Sequence, residues 1–538
     1  MSLFSKIPVK KPRRNLFNLS FDSKLSCNMG QLVPILVKPV VPGDTFQNQT
    51  EIFLRFAPML APIMHSVYIT THFFFVPNRL VWNEWEDFIT GGKDGTASPV
   101  FPRLDFSSSS IINSYLREGQ LADFMGIPTS SGVGNTTYPN YVSALPFRAY
   151  QLIYNEYYRD QNLIDEVEFS RDSGIFNAPS SEYAALLTLR NRAWQKDYFT
   201  SALPWAQRGE PVTIPVGGEA PIFTKSGDSQ LIRKYDGTIL PYLGNLEQDA
   251  NTGHFSSSNP ANPTQRNDVI FDPNGTMYAD LSDSTSVTIN DLRAAQKLQE
   301  WLTKNARGGA RYTEQILNHF GVRSSDARLQ RPEFLGGGMD YLAVSEVLQT
   351  SATQADTTPL GDFAGHGVAQ SATHTFRKFF EEHGYVIGIL SIMPKTAYQQ
   401  GLPRDYFKFD KMDFYFPEFA HLGEQEIKAK ELYLDYYDQV DPDTHVRSSE
   451  NTFGYTPRYA EYKFSSSEVH GDFRSSLDYW HLGRIFSNTP KLNKDFITAN
   501  PSTRIFAVQD ENISHCWIRC YHNLKAIRPM PKYGVPIY

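Results

Sequence analysis

The residues of this chain with the most obvious capacity for chemistry are its three cysteines, two of which, Cys516 and Cys520, fall in the string HCWIRCYH with His515 and His522. Thiolates and imidazoles are zinc ligands, but a structural zinc site needs four converging donors, and no CxxC pair is present. As a strand, the same string puts Cys516, Ile518, Cys520 and His522 on one face and His515, Trp517, Arg519 and Tyr521 on the other, so buried core thiols are the expectation. Cys27 is distant in sequence from the other two, and three cysteines cannot all pair, so no disulfide framework is expected and a reducing assembly compartment fits. LDYYDQVDPDTH offers Asp435, Asp438, Asp441 and Asp443 to a hard cation such as calcium; the spacing is not that of an EF-hand, and Pro442 with Thr444 points to an ordinary turn. The glycines at 336–338 lack the spacing of a phosphate cradle and are read as a tight turn. Phosphate-loop, dinucleotide, zinc-protease and nucleophile-elbow motifs do not occur, and no cofactor is expected. Carboxylates are plentiful, but glycosidase chemistry needs two of them at a set separation across a sugar ring.

The elements available to position such residues are strands at the chain ends and helices between them. PILVKPVVPGDTF (34–46), HSVYITTHFFFVP (65–77), YVIGILSIMP (385–394), RIFAVQ (504–509) and SHCWIRCYHNLKAI (514–527) are apolar, β-branched and aromatic runs. TSALPWAQRGEPVTIPVG (200–217) also reads as strand-like. A sheet assembled from distant chain ends is the pattern of a sandwich with long excursions. In the excursions, Trp82, Trp85 and Phe88 form a stripe that stops at Gly91 and Gly92; Tyr150, Ile153, Tyr154 and Tyr157 form an aromatic helix face; and a third helix opens with Thr288 and Asp291 in capping-box spacing, carries Leu292, Ala295, Leu298 and Leu302, and ends at Gly308 and Gly309. The aromatic faces suit either the core or a neighbouring subunit. Residues 219–287 are dense in Ser, Asn, Asp, Gly, Pro and Thr, and read as an exposed loop excursion with apolar islands at Ile239, Leu240, Tyr242, Leu243, Val269, Ile270 and Phe271.

With 41% hydrophobic and 20% charged residues among 538, the chain can bury a core, and no apolar run approaches the ~18–20 residues of a membrane span. The net charge of −7 opposes nucleic-acid binding by the chain as a whole. Its distribution does not: Lys6, Lys10, Lys11, Arg13 and Arg14 precede the first acid, and Arg519, Lys525, Arg528 and Lys532 follow the last. Two basic ends on an acidic body suit a shell with inward-facing termini.

Five long strings, NLFNLSFDSKLSCNMGQLVPILVKPVVPGDTF (15–46), HFFFVPNRLVWNEWEDFITGG (72–92), PFRAYQLIYNEYYRDQNL (146–163), RGGARYTEQILNHFGVRSSDARLQRPEFLGGG (307–338) and YQQGLPRDYFKFDKMDFYFPEFAHLGEQEI (398–427), with the terminal MPKYGVPIY, resemble the major capsid proteins of the gokushovirus branch of the Microviridae, small phages with single-stranded DNA. The resemblance runs nearly end to end, outside 219–287. It implies a mainly β fold: a single eight-stranded antiparallel jelly roll (29–538) with long helical and loop insertions (82–380), preceded by a basic arm (1–28), with 219–287 as a variable protrusion at the threefold axes. It further implies a non-enzymatic protein, assembled in the host bacterial cytoplasm into a T=1 virion of roughly 60 copies around circular single-stranded DNA. About 60 chains at −7 sum to about −420, so DNA contact must be local; Lys6, Lys10, Lys11, Arg13, Arg14, Lys525, Arg528 and Lys532 are expected to face it, with a small basic DNA-binding phage protein neutralising most phosphates. A host receptor is expected to meet the protrusion tip at Ser256, Ser257, Ser258, Asn259 and Asn262. The alternatives are a jelly-roll lectin and an all-β glycoside hydrolase, since jelly rolls serve several functions.

Overall fold

The computed structural model describes residues 13–106, 115–129, 141–177, 180–209, 222–224, 232–234, 246–248, 255–271, 277–279, 289–309, 311–323, 325–348, 363–434 and 448–533. They divide into two compact units, Gly209–Lys304 and the rest of the chain.

The larger unit is built on two antiparallel sheets. Its strands are β1 (Asn15–Asn18), β2 (Phe21–Cys27), β3 (Val33–Val40), β4 (Thr45–Phe56), β5 (Val67–Pro77), β6 (Glu333–Tyr341), β7 (Ala343–Leu348), β8 (Phe363–Phe379), β9 (Gly384–Pro394) and β10 (Cys516–Arg528). One sheet runs β1-β10-β4-β8-β7, with β2 also on β10; the other runs β6-β5-β9-β3. Discounting the extra strand β7 and counting β1 and β2 as one broken edge strand, this is the eight-stranded jelly roll.

The burial of each strand follows from what covers it. In β4, Phe46, Asn48, Thr50, Ile52, Leu54 and Phe56 are buried and their neighbours are not, the period of a sheet with one wet face. β5 is buried along almost its whole length because both of its faces are covered. Val67, Ile69, Phe73 and Phe75 point between the sheets, while Phe74 and Val76 pack under the helical insertion with Trp82, Phe147 and Tyr150.

That insertion contains α1 (Trp85–Thr90), closed by Gly91 at φ 79°, and α2 (Leu145–Ile153), which continues as a π-helical turn through Tyr158. Tyr150 donates to the Leu32 carbonyl at 2.8 Å and Tyr157 to that of Pro332 at 2.5 Å, and Arg331 stacks on the Tyr157 ring. The aromatic face is thus engaged within the chain.

Several sequence expectations are corrected. The glycines at 336–338 lie inside β6, not in a turn. A Cβ at Gly337 would sit 2.1 Å from the Thr71 carbonyl oxygen on the paired strand β5, and one at Gly338 would sit 2.5 Å from Nδ1 of His374 on the other sheet, so Gly337 admits its neighbouring strand and Gly338 lets the two sheets approach closely. Arg504–Gln509 is not a strand: only Ile505 and Phe506 are buried, with Phe506 edge-on to Phe56 at 5.5 Å, and pairing is limited to one bridge to Met59. The described part of 200–217 is a turn around Asp197, whose Oδ1 accepts from the Thr200 and Phe199 amides. The arm expected over 1–28 is already strand from Asn15, where β1 pairs β10.

The second unit is not a structureless loop either. Phe255–Asn259 and Asn262–Phe271 form a hairpin, extended by Leu246–Gln248 on one side and Ile232–Lys234 on the other; Ile222–Thr224 pairs Met277–Ala279 separately. The tip is Asn259–Asn262, where the Asn259 side chain accepts from the Ala261 amide. Ser256 and Ser257, expected at the exposed tip, are buried in the hairpin; Pro260, Ala261 and Asn262 are exposed and Asn259 is half-buried. The Ser258 side chain, Asp435–Asp443 and Thr288 lie outside the described residues. α3 (Ile289–Gly308) follows the expected helix, but Leu292 and Leu298 on its apolar stripe are about half exposed rather than buried.

Candidate nucleic-acid interface

The C-terminal strand divides its side chains as its alternation requires. Cys516, Ile518, Cys520 and His522 point inward, and Cys27 lies opposite Cys516, so all three thiols are free and buried. Burial pushes the Cys520 thiol up to about 12, so it is not a thiolate at neutral pH. Among the described residues no three metal-capable side chains converge.

The outward face of the same strand is where charge gathers. Strand register sets Trp517 opposite Arg55, Arg519 opposite Phe53 and Lys24, and Lys525 opposite Gln47, itself opposite Arg377. Residues directly opposite share a face. The six-stranded sheet therefore exposes Lys24, Arg55, Arg377, Arg519 and Lys525 against the acids Asp22 and Glu51, an excess of cations on a chain whose net charge is −7. Trp517 and Phe53 stand among them 48% and 39% exposed. Cations interleaved with exposed aromatic rings are what a single strand of nucleic acid requires, phosphates meeting the former and bases stacking on the latter. Arg519 is partly engaged, holding Asp22 through two 3.0 Å contacts from Nε.

The expected basic residues border this face. Arg14 donates to the Gly43 carbonyl and lies over Phe379; Arg13, Lys525 and Lys532 are exposed. Arg528 is committed elsewhere. It pairs with buried Asp44 at 3.2 Å, donates to the Pro39 carbonyl and covers the Phe46 ring, so it holds the sheet corner rather than meeting phosphate. Burial raises the Asp44 carboxyl above its ordinary value despite the Val41 amide and Arg528. Lys6, Lys10 and Lys11 lie outside the described residues. Sequence reasoning placed Trp517 and Arg519 on one strand face but missed Lys24, Phe53, Arg55 and Arg377, because only the register brings them alongside.

A second polar assembly lies in the loops beneath the barrel. Glu431 is buried; its Oε2 accepts from the Tyr198 hydroxyl at 2.9 Å, and its Oε1 from Arg404 at 3.0 Å and the Lys428 amide at 2.9 Å. Tyr398 reaches Asp197 at 2.7 Å. Glu431 and Asp197 are thus held by hydroxyl and guanidinium donors, as in a structural brace.

A jelly roll with one cationic, aromatic-bearing sheet face defines a shell or binding protein, and comparison with known proteins selects between them. The family described as "Capsid protein (F protein)" matches residues 5–538, and the chain belongs to it. It is 37% identical to the capsid protein VP1 of Chlamydia phage 1 and 37% identical to that of Bdellovibrio phage phiMH2K, in each case over 99% of this chain and 97% of the relative. It is 33% identical to the capsid protein VP1 of Spiroplasma virus 4, over 95% and 92%. The protein is a structural component of the phage virion.

Proposed function

We propose that this chain self-assembles, in the host cytoplasm, into a closed T=1 shell of roughly 60 copies around circular single-stranded DNA, with the Trp517 and Arg519 sheet face turned inward. The observation that carries the DNA reading is that face: five cations and two exposed rings on an otherwise acidic chain. The N-terminal basic residues extend it, and a small basic DNA-binding phage protein supplies the remaining countercharge. The test is particle recovery followed by salt titration of DNA retention. Replacing Arg55, Arg377 and Lys525 together by Ser leaves shells intact but lowers their DNA content and reduces the salt slope by about 2, at ~0.7 per lost phosphate contact. Unchanged retention at every salt concentration would remove the DNA role from this face.

The Gly209–Lys304 unit is proposed to project outward and meet a host receptor through the hairpin tip, where Pro260, Ala261 and Asn262 are exposed. Replacing Asn259–Asn262 by a Gly-Ser turn is expected to spare assembly and reduce adsorption to host cells at least tenfold. Normal adsorption by the variant particles would refute the receptor role.

A further inference from the structure

A dense group of exposed aromatic side chains lies far in sequence from both surfaces above, on the segment RDYFKFDKMDFYFPEF (404–419). Tyr406, Phe409, Phe414, Tyr415, Phe416 and Tyr462 are between 48% and 88% exposed. At ~200 Å² per aromatic side chain, they offer about 700 Å² of apolar surface, above the 300–600 Å² of the largest patch on a typical monomer and near the ~800 Å² each partner gives to a stable interface. Four of the rings converge. Phe414, Tyr415, Phe416 and Tyr462 line one groove, Tyr415 stands edge-on to Tyr459 at 5.4 Å, and the Lys408 ammonium lies 3.9 Å from the Tyr462 ring centre.

The segment is short 3-10 turns, yet its backbone is fastened. The Met412 carbonyl accepts from both Arg458 and the Tyr459 hydroxyl at 3.0 Å, and Asp413 accepts from the amides of Phe409 and Asp410. The rings are therefore held outward on a fixed frame, which lowers the ordering cost of binding. The charges around them carry both signs in near balance: Lys411, Arg458 and Lys463 against Asp405, Asp410, Asp413 and Glu418, with Lys408 and Glu461 paired to each other beneath them. A basic protein would be met by an acidic rim and DNA by a basic one. A rim carrying both signs suits a surface of the same mixed character, such as another copy of this chain.

We propose that the aromatic face over residues 405–416, completed by Tyr462, is a contact between neighbouring copies of the chain. It rests on the assembly reading above and deepens it by naming the contact. The test is the double variant Phe409→Ser/Phe416→Ser, prepared as full-length chain beside the wild type. Both side chains are exposed in the subunit, so the circular dichroism spectrum and the urea midpoint of the free subunit stay at wild-type values. The free-subunit concentration in equilibrium with particles rises at least about 30-fold, the loss of a single strong contact residue. Should the variant misfold, hydroxyl-radical footprinting of wild-type particles against dissociated wild-type subunits decides. Protection of Tyr406, Phe409 and Phe416 on assembly supports the contact, and equal labelling in both states overturns it. Variant particles formed at wild-type concentration also overturn it while leaving the assembly reading standing. A wild-type chain that never forms particles sinks both.

Discussion

Replacing Glu431 by Ala is expected to destabilise the isolated subunit by about 3–5 kcal/mol, the cost of leaving a buried charge without its partner. The carboxylate accepts from Tyr198, Arg404 and the Lys428 amide, and its removal strands a largely buried guanidinium and a buried hydroxyl together. Burial already raises the Glu431 carboxyl above its ordinary value, with Arg404 opposing that rise, so the pair is held by geometry more than by charge alone. Removing Arg404 as well relieves part of the loss, because the stranded charge then goes. Urea denaturation of the single and double variants measures this. A loss below 1 kcal/mol for Glu431→Ala, or strict additivity in the double variant, would show that the brace is not coupled.

Acidification is expected to destabilise the fold between pH 6.5 and 4, chiefly through His522. This side chain is fully buried, takes a 2.9 Å hydrogen bond with the Thr50 hydroxyl, and lies 4.8 Å from the Phe21 ring. Burial, aided by Lys38, lowers its pKa from 6.5 to about 4, against the opposing pull of the Ile35 backbone and Asp22. Above pH 6.5 the ring is neutral both folded and unfolded, and titration costs nothing. Below it the unfolded chain takes up a proton that the folded chain refuses, so stability falls with pH by about 3 kcal/mol by the time the folded ring titrates. Half-buried His72, bonded to Tyr158 and lowered to about 4 chiefly by burial, acts in the same direction with a smaller share because solvent screens it. Subunit stability measured from pH 7.5 to 4 should fall in the wild type and flatten in His522→Gln. Parallel curves for the two proteins would exclude His522 as the origin.

Strands with two different faces were legible in the sequence. The residue types in 516–522 alternate, and the strand buries its thiols as that period requires. β5 was legible as a strand from its composition, though not the reason for its burial on both faces, which is the helical insertion packed on its outer side. The glycines at 336–338 were misread because three glycines signal a turn locally, whereas their use here is the approach of Thr71 and His374 from other strands. The hairpin around Asn259–Asn262 was hidden by its own turn residues. Least legible was the cationic sheet face, whose members come from separate strands; no local window contains Lys24, Arg55, Arg377 and Lys525, and nothing short of strand register unites them.

The order of that sheet also sets a schedule for the ribosome. β10 lies between the N-terminal strands and β4, so the last strand made is the one that joins those made first. Synthesis at ~5–20 residues per second leaves β2 and β4 without their central neighbour for roughly 25–100 s after they emerge. Nascent chains must be kept from pairing with one another during that interval, since open strand edges invite aggregation. A chain cut short before residue 516 would lack the strand that pairs β4, and so would leave the outward face of that sheet without Trp517, Arg519 and Lys525.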